Sequence, residues 1–160
     1  MKKIILISII AFVFTTSYSQ SNKYNQKHSL GVSAGMSHAF GLSYQYWGNE
    51  IGLHTSFTPY SNFKGEYMTA FSVAPMATIY ERNYSKYFLY EANGVYVSHL
   101  WEDNIYLFMP AIGAGSKIWL TEHLNLNIAL GLGVLFASSN TDLPEFIMLP
   151  DANFGFYYSF

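Results

Sequence analysis

A period-two alternation of side-chain type runs through this chain and constrains its fold more than any other feature. It is cleanest over residues 124–136. There Leu124, Leu126, Ile128, Leu130, Leu132, Val134 and Phe136 alternate with Asn125, Asn127, Ala129, Gly131, Gly133 and Leu135. Successive side chains of a strand point to opposite faces. One face here is therefore wholly apolar, and the other is built mostly of Gly, Asn and Ala. The final stretch repeats the pattern. Phe154, Phe156, Tyr158 and Phe160 share one parity, against Asn153, Gly155, Tyr157 and Ser159.

The same alternation predicts six earlier strands. Leu30, Val32, Ala34 and Met36 oppose Ser29, Gly31, Ser33, Gly35 and Ser37, before a tight turn at about 37–39. Phe40, Leu42, Tyr44 and Tyr46 oppose Gly41, Ser43 and Gln45. Ile51, Leu53, Thr55 and Phe57 oppose Gly52, His54, Ser56 and Thr58. In a fourth strand, about 67–81, Phe71, Val73, Ala77 and Ile79 share a face, and Pro75 predicts a bulge or local break. In a fifth, about 87–98, Phe88, Tyr90, Ala92 and Tyr96 are read as the apolar face, opposite Glu91 and Asn93. In a sixth, about 105–120, Phe108, Pro110, Ile112, Ala114 and Ile118 oppose Gly113, Gly115 and Lys117. Loops are expected at 59–66, 99–104 and 138–151, with short turns at 48–50, 82–86 and 121–123.

Composition decides which side of these strands faces out. The 160 residues are 51% hydrophobic and 19% aromatic but only 11% charged. Soluble domains carry about 25% charged residues. Beyond the N-terminus no apolar run approaches the roughly 20 residues of a membrane helix. The hydrophobicity is instead spread over one face of many strands. A soluble sandwich or barrel turns its apolar face inward and its charges outward. In this chain Glu91 and Lys117 are read as the charges well inside strands, both on the small, polar face. Apolar outside and polar inside is the dyad repeat of a barrel in lipid. Closure satisfies every backbone group, as the bilayer core demands. The predicted fold is all-β: a closed, antiparallel, up-and-down transmembrane barrel of eight strands.

The N-terminus reads as a targeting segment. Lys2 and Lys3 precede the apolar run Ile4–Phe14, and Ser17 and Ser19 suit small-x-small cleavage. Residues 1–19 are expected to be a cleaved signal peptide and residues 20–160 the barrel domain. Without Lys2 and Lys3, six basic residues stand against ten acidic ones, a net charge of −4. That balance carries no electrostatic footprint for nucleic acid. With no cysteine, disulfides and thiolate metal sites are excluded.

The signal segment, the dyad repeat and the terminal F-x-F-x-Y-x-F together resemble the small eight-stranded outer-membrane β-barrels of Gram-negative bacteria, a porin-like, OmpA-like superfamily. The resemblance spans the whole mature chain. No peptidoglycan-binding domain is expected after the last strand. Loop asymmetry agrees with a periplasmic N-terminus: connections after even strands are short, and three of the four others are longer. Aromatic belts are expected at Tyr44, Tyr46, Tyr80, Tyr87, Tyr90, Trp119 and Tyr158, and at Phe57, Tyr60, Tyr67, Trp101, Tyr106, Phe108 and Phe136. The resemblance implies that Phe156, Tyr158 and Phe160 form a C-terminal signal for the barrel-assembly machinery. It also implies a location in the outer membrane, among its lipids.

The architecture serves many functions, so activity must come from particular residues. Eight strands leave an interior that side chains can fill, which argues against a wide pore. Small lumen residues leave room for a narrow channel for small or apolar solutes. Glu91 and Lys117 are expected to share the lumen as a pair or hydrated network. Some barrels of this family are lipid-modifying hydrolases with a His/Ser/acid set. His54 and Ser56 lie on one face but point inward, with no acid clearly beside them. His28, His38, His99 and His123 are read as ordinary surface histidines without metal spacing. No catalytic residue, cofactor or metal is expected. The favoured role is structural or surface interaction, with the apolar loop 138–151 (Leu143, Phe146, Ile147, Met148, Leu149) as a possible contact for a surface partner.

Overall fold

The computed structural model describes residues 26–61, 67–100, 103–138 and 146–160. Within them are eight strands: β1 (His28–Gly35), β2 (Gly41–Trp47), β3 (Ile51–Ser61), β4 (Tyr67–Arg82), β5 (Ser85–Leu100), β6 (Asp103–Trp119), β7 (Leu124–Ser138) and β8 (Phe146–Ser159). Each pairs antiparallel with its sequence neighbour. β8 returns to β1, with Leu30 opposite Tyr158 and Val32 opposite Phe156, and closes the barrel. The expected all-β, eight-stranded, antiparallel architecture is the one observed. The signal segment 1–19, Trp101 and Leu143 lie outside the described residues.

The polarity is inverted, as the alternation required. Leu42, Ile51, Ile112 and Leu130 on the exterior are 66–69% exposed, while Ser29, Gln45, His54, Lys117 and Asn125 inside are at most 1% exposed. Every strand but β5 turns the expected parity outward. In β5 the faces are reversed. Phe88, Tyr90 and Ala92 are buried in the lumen, and Glu91 is exposed on the outer surface. Space explains the reversal. A β-carbon on Gly115 would lie 2.6 Å from the Phe88 ring, and one on Gly113 or Gly131 would lie 2.6 Å from Tyr90. The glycines of β6 and β7 leave hollows that the β5 aromatics fill, and a small barrel needs its interior filled. Tyr90 and Trp119, expected in the aromatic belt of the N-terminal end, are likewise buried inside.

Prolines mark the irregular points. The β4–β5 ladder has no pairing at Ala74 and Pro75, and β6–β7 has none at Met109 and Pro110, yet both registers resume unchanged. The local break expected at Pro75 is present. The register shift falls later, between Thr78 and Tyr80. That shift turns Glu81 inward, where it meets Lys86 at 3.2 Å.

Three connections are shorter than expected. β3 runs on to Ser61, β6 starts at Asp103 and β8 starts at Phe146. Phe146, Ile147, Met148 and Leu149 therefore belong to a strand rather than a loop. β8 keeps its alternation through Pro150, with Phe146, Met148 and Pro150 outward and Asp151 inward. Proline is tolerated at an unpaired edge, and Pro150 has one. β1 has only 8 residues and β2 only 7, against 14 in β8 and 11 in β3. β1 stops pairing with β8 at Gly35–Asn153, and β2 stops pairing with β3 at Leu42–Phe57. Beyond those points the wall has a notch, flanked by β8 residues 146–152 and β3 residues 58–61. Pro59 stands on the second flank as Pro150 does on the first.

Candidate functional site

The residues missing from the short hairpin are found inside the barrel. Residues 36–40 join β1 to β2, and their tip folds into the lumen. Ser37, His38 and Ala39 are buried, while Met36 and Phe40 on either side stay exposed. Ala39 takes the left-handed conformation, with φ of 51°, which lets so few residues reverse direction.

The tip touches strands all round the barrel. Asp151 of β8 accepts from the Ser37 backbone N–H at 3.0 Å and from the Ser37 hydroxyl at 2.7 Å. Tyr90 of β5 donates to the same carboxylate at 2.6 Å. Tyr96 of β5 donates to the Met36 carbonyl, and Ser56 of β3 to the His38 carbonyl. Thr58 donates to the Phe40 carbonyl. His38 stacks on His54 with ring centroids 4.9 Å apart and meets the Tyr90 ring edge-on at 5.0 Å. His54 Nε2 lies 3.1 Å from the Tyr157 hydroxyl. The tip is a latch: a loop held across the lumen by the Asp151 carboxylate, the Tyr96, Ser56 and Thr58 hydroxyls, and the rings of His54 and Tyr90. Burial lowers the pKa of His38, in the connection, to about 4, although Asp151 pulls it upward.

A second polar level lies nearer the N-terminus. Lys117 is fully buried and donates to Ser29 at 3.2 Å. Its ammonium lies 5.0 Å from the Trp119 ring and 5.9 Å from the Trp47 ring. Lys86, paired with Glu81, lies 5.0 Å from the same Trp47 ring. Asn125 donates to Ser159 at 2.6 Å, and Ser159 bonds Ser29 at 2.8 Å. Glu81 Oε1, Asn125 Oδ1 and Asn127 Oδ1 have no protein donor. Such a level suits ordered water, which satisfies groups of this kind.

The expected pair is not formed. Lys117 is in the lumen, opposite Lys86 in the ladder, whereas Glu91 is outside, opposite Ile112. Glu91 was read as internal because it is charged, but the β5 aromatics claim the interior. The charges that share the lumen with Lys117 are Glu81 and Lys86 at its own level and Asp151 at the level of the latch. His38, read as a surface histidine, is buried at the centre of the latch. Phe156, Tyr158 and Phe160 stand exposed on the outer surface, on the parity expected of them. His54 and Ser56 face inward as expected. Asp151 escaped notice through its assignment to a loop. Counting parity back from Phe160 would have placed it inward with Asn153, Gly155 and Tyr157.

The serines and histidines here are engaged in holding the latch. Asp151 accepts the Ser37 proton directly, and Ser37 Oγ sits 3.0 Å from His38 Nδ1. A nucleophilic triad needs the acid on the histidine and the histidine on the serine. The Ser56 hydroxyl is held by the His38 carbonyl and by Ser72 at 2.6 Å. Among the described residues no group of three or more His, Asp or Glu side chains is placed to hold a metal. No protein-family model, curated protein or solved structure matches this chain.

Proposed function

We propose that this chain is an integral outer-membrane β-barrel protein with a structural or surface-interaction role, its lumen closed by the latch. The observation that carries the reading is the inverted polarity. Large apolar side chains ring the exterior of every strand, far beyond the few hundred Å² of apolar patch that a soluble monomer exposes. Buried serines, asparagines and lysines line the interior. In water this arrangement leaves its exterior band of large apolar side chains hydrated, while in lipid it matches both surroundings. Exposed Tyr46, Tyr80, Tyr87 and Tyr158 near one end, and Tyr67, Tyr106, Phe108 and Phe136 near the other, support two interfacial belts. The outward Phe156, Tyr158 and Phe160 are available to the assembly machinery, and residues 1–19 would direct export.

Expression with residues 1–19 intact tests this reading. The protein should resist carbonate extraction from outer membranes and migrate faster on a detergent gel unheated than boiled. Recovery in the soluble fraction would overturn it. Deleting Phe160 should reduce the assembled fraction, and normal assembly of the truncated chain would remove the proposed signal.

The notch favours a second reading, a narrow route for small or apolar solutes. It opens the wall beside the latch, where a solute could pass sideways between lumen and lipid. In planar bilayers the closed form should be silent. Reproducible steps that change with Ser37→Gly or Asp151→Ala would favour the route. Lipid hydrolysis has no comparable support, since both His54 and Ser56 are engaged. A lipid A deacylation assay with Ser56→Ala as control checks it.

A further inference from the structure

The outer face of β5 departs from the rest of the exterior. Its outward residues run Tyr87, Leu89, Glu91, Asn93, Val95. Tyr87, Leu89 and Val95 are exposed apolar groups like those of the neighbouring strands. Glu91 and Asn93 put a carboxyl group and a carboxamide between them, near the middle of a 16-residue strand. Among the described residues, the exterior charges Lys27, Glu50, Arg82 and Glu122 stand at strand ends or in turns. Only Asn93 Nδ2 approaches Glu91, at 3.4 Å, a long contact. The flanking outward positions are Ile112 on β6 and Pro75 on β4, and neither offers a donor. Glu91 also borders an exterior groove of about 350 Å³, lined by Ile51, Pro75, Ala77 and Leu89. The groove lies where Pro75 interrupts the β4–β5 ladder.

An ionisable side chain in the apolar band of a membrane protein is costly and is usually paired. We infer that this face of β5 is an interface between two copies of the barrel in the membrane, closed by Glu91 and Asn93 of each. The inference rests on the proposed membrane location. Self-complementarity singles out a second copy as the occupant. Glu91 brings acceptors, and Asn93 brings two N–H donors one step along the same face. A two-fold axis along the membrane normal keeps equivalent residues at equal depth. It sets the Asn93 amide of each barrel within side-chain reach of the other's Glu91, with no cation required. The small Pro75 and Ala77 let the neighbouring wall approach, as small residues do where membrane segments pack closely.

The native chain has no cysteine, so single cysteines report neighbours cleanly. Full-length protein carrying Leu89→Cys or Val95→Cys would be reconstituted in liposomes and treated with a flexible bis-maleimide, because tilted strands crossing at the interface hold these positions beyond disulfide reach. A covalent dimer should form at both positions and not with Ile128→Cys, which is exposed on β7 away from this face. Adding Glu91→Leu or Asn93→Leu should raise the dimer dissociation constant about tenfold, the loss of two symmetric hydrogen bonds. Heat-dependent gel mobility checks that each variant still forms a barrel. Inserted wild-type barrel that stays monomeric at every lipid dilution would overturn the interface and leave the membrane reading intact. Protein that never inserts would sink both. Cross-linking in native membranes to a different protein would also overturn the second-copy assignment.

Discussion

The two sides of this barrel use their residues differently. β5 and β6 put sixteen and seventeen residues into the wall. β1 and β2, across the lumen, put in eight and seven, and the chain between them goes inside. The long side contributes large aromatics that fill the lumen over glycines. The short side fills the same space with backbone, held by side chains from β3, β5 and β8. A barrel interior can therefore be filled from the wall or from a connection, and this chain uses both at one level. Filling by connection leaves buried amides and carbonyls to satisfy, which explains why Asp151, Tyr96 and Ser56 sit where they do.

The sharpest way to break this comparison is to remove the acceptor of the latch. Asp151→Ala strands the Ser37 N–H, the Ser37 hydroxyl and the Tyr90 hydroxyl in a buried site. It should cost about 3–4 kcal/mol in urea unfolding from vesicles. The parallel attack on the long side is Gly115→Val, which forces a side chain against the Phe88 ring and should cost about 1–3 kcal/mol. If the glycine change costs nothing, the aromatic-over-glycine account of β5 fails.

Acid should act on the short side in particular. The folded pKa of His38 is about 4, below its ordinary 6.5. The unfolded chain then binds the proton more readily, so the stability tied to neutral His38 is complete above about pH 6.5 and is lost as pH falls toward 4. Asp151, His54, Tyr90 and Tyr96 face the latch from β8, β3 and β5. His38→Gln should flatten the pH dependence of unfolding between those limits, and an unchanged slope would place the titration elsewhere. The smallest expected effect is a coupling. Glu91→Gln and Lys117→Met, made singly and together, should add within about 0.5 kcal/mol, since one group is outside the wall and the other within. A larger coupling would contradict the placement of Glu91.

How much of this was legible depended on whether parity or chemistry was allowed to decide. β8 is readable because its aromatic parity runs unbroken from Phe160 back to Phe154, with Tyr157 as the inward exception. In β5 the parity is ambiguous, with Phe88, Tyr90 and Tyr96 on one side and Tyr87, Leu89 and Val95 on the other. The charge of Glu91 tipped the reading inward. What decides the matter is the run of glycines at 113, 115 and 131, residues distant in sequence that become hollows only when β6 and β7 pair with their neighbours. The bulge after Thr78 is similarly silent in sequence, yet it alone turns Glu81 toward Lys86. The latch was hidden because a short connection gives no sign of whether it bends outward or inward. The signal for it lay in β1 and β2 themselves, whose few alternating residues cannot match the height of their neighbours.

The bond between Ser37 and Asp151 joins residues 114 positions apart. Asp151 enters its place only as part of β8, the strand that also meets β1. β3 and β5 can hold the tip earlier, but this carboxylate bond joins the earliest hairpin to the latest strand and forms only when both are present. The act that finishes the cylinder is thus the same act that fastens the carboxylate side of its latch.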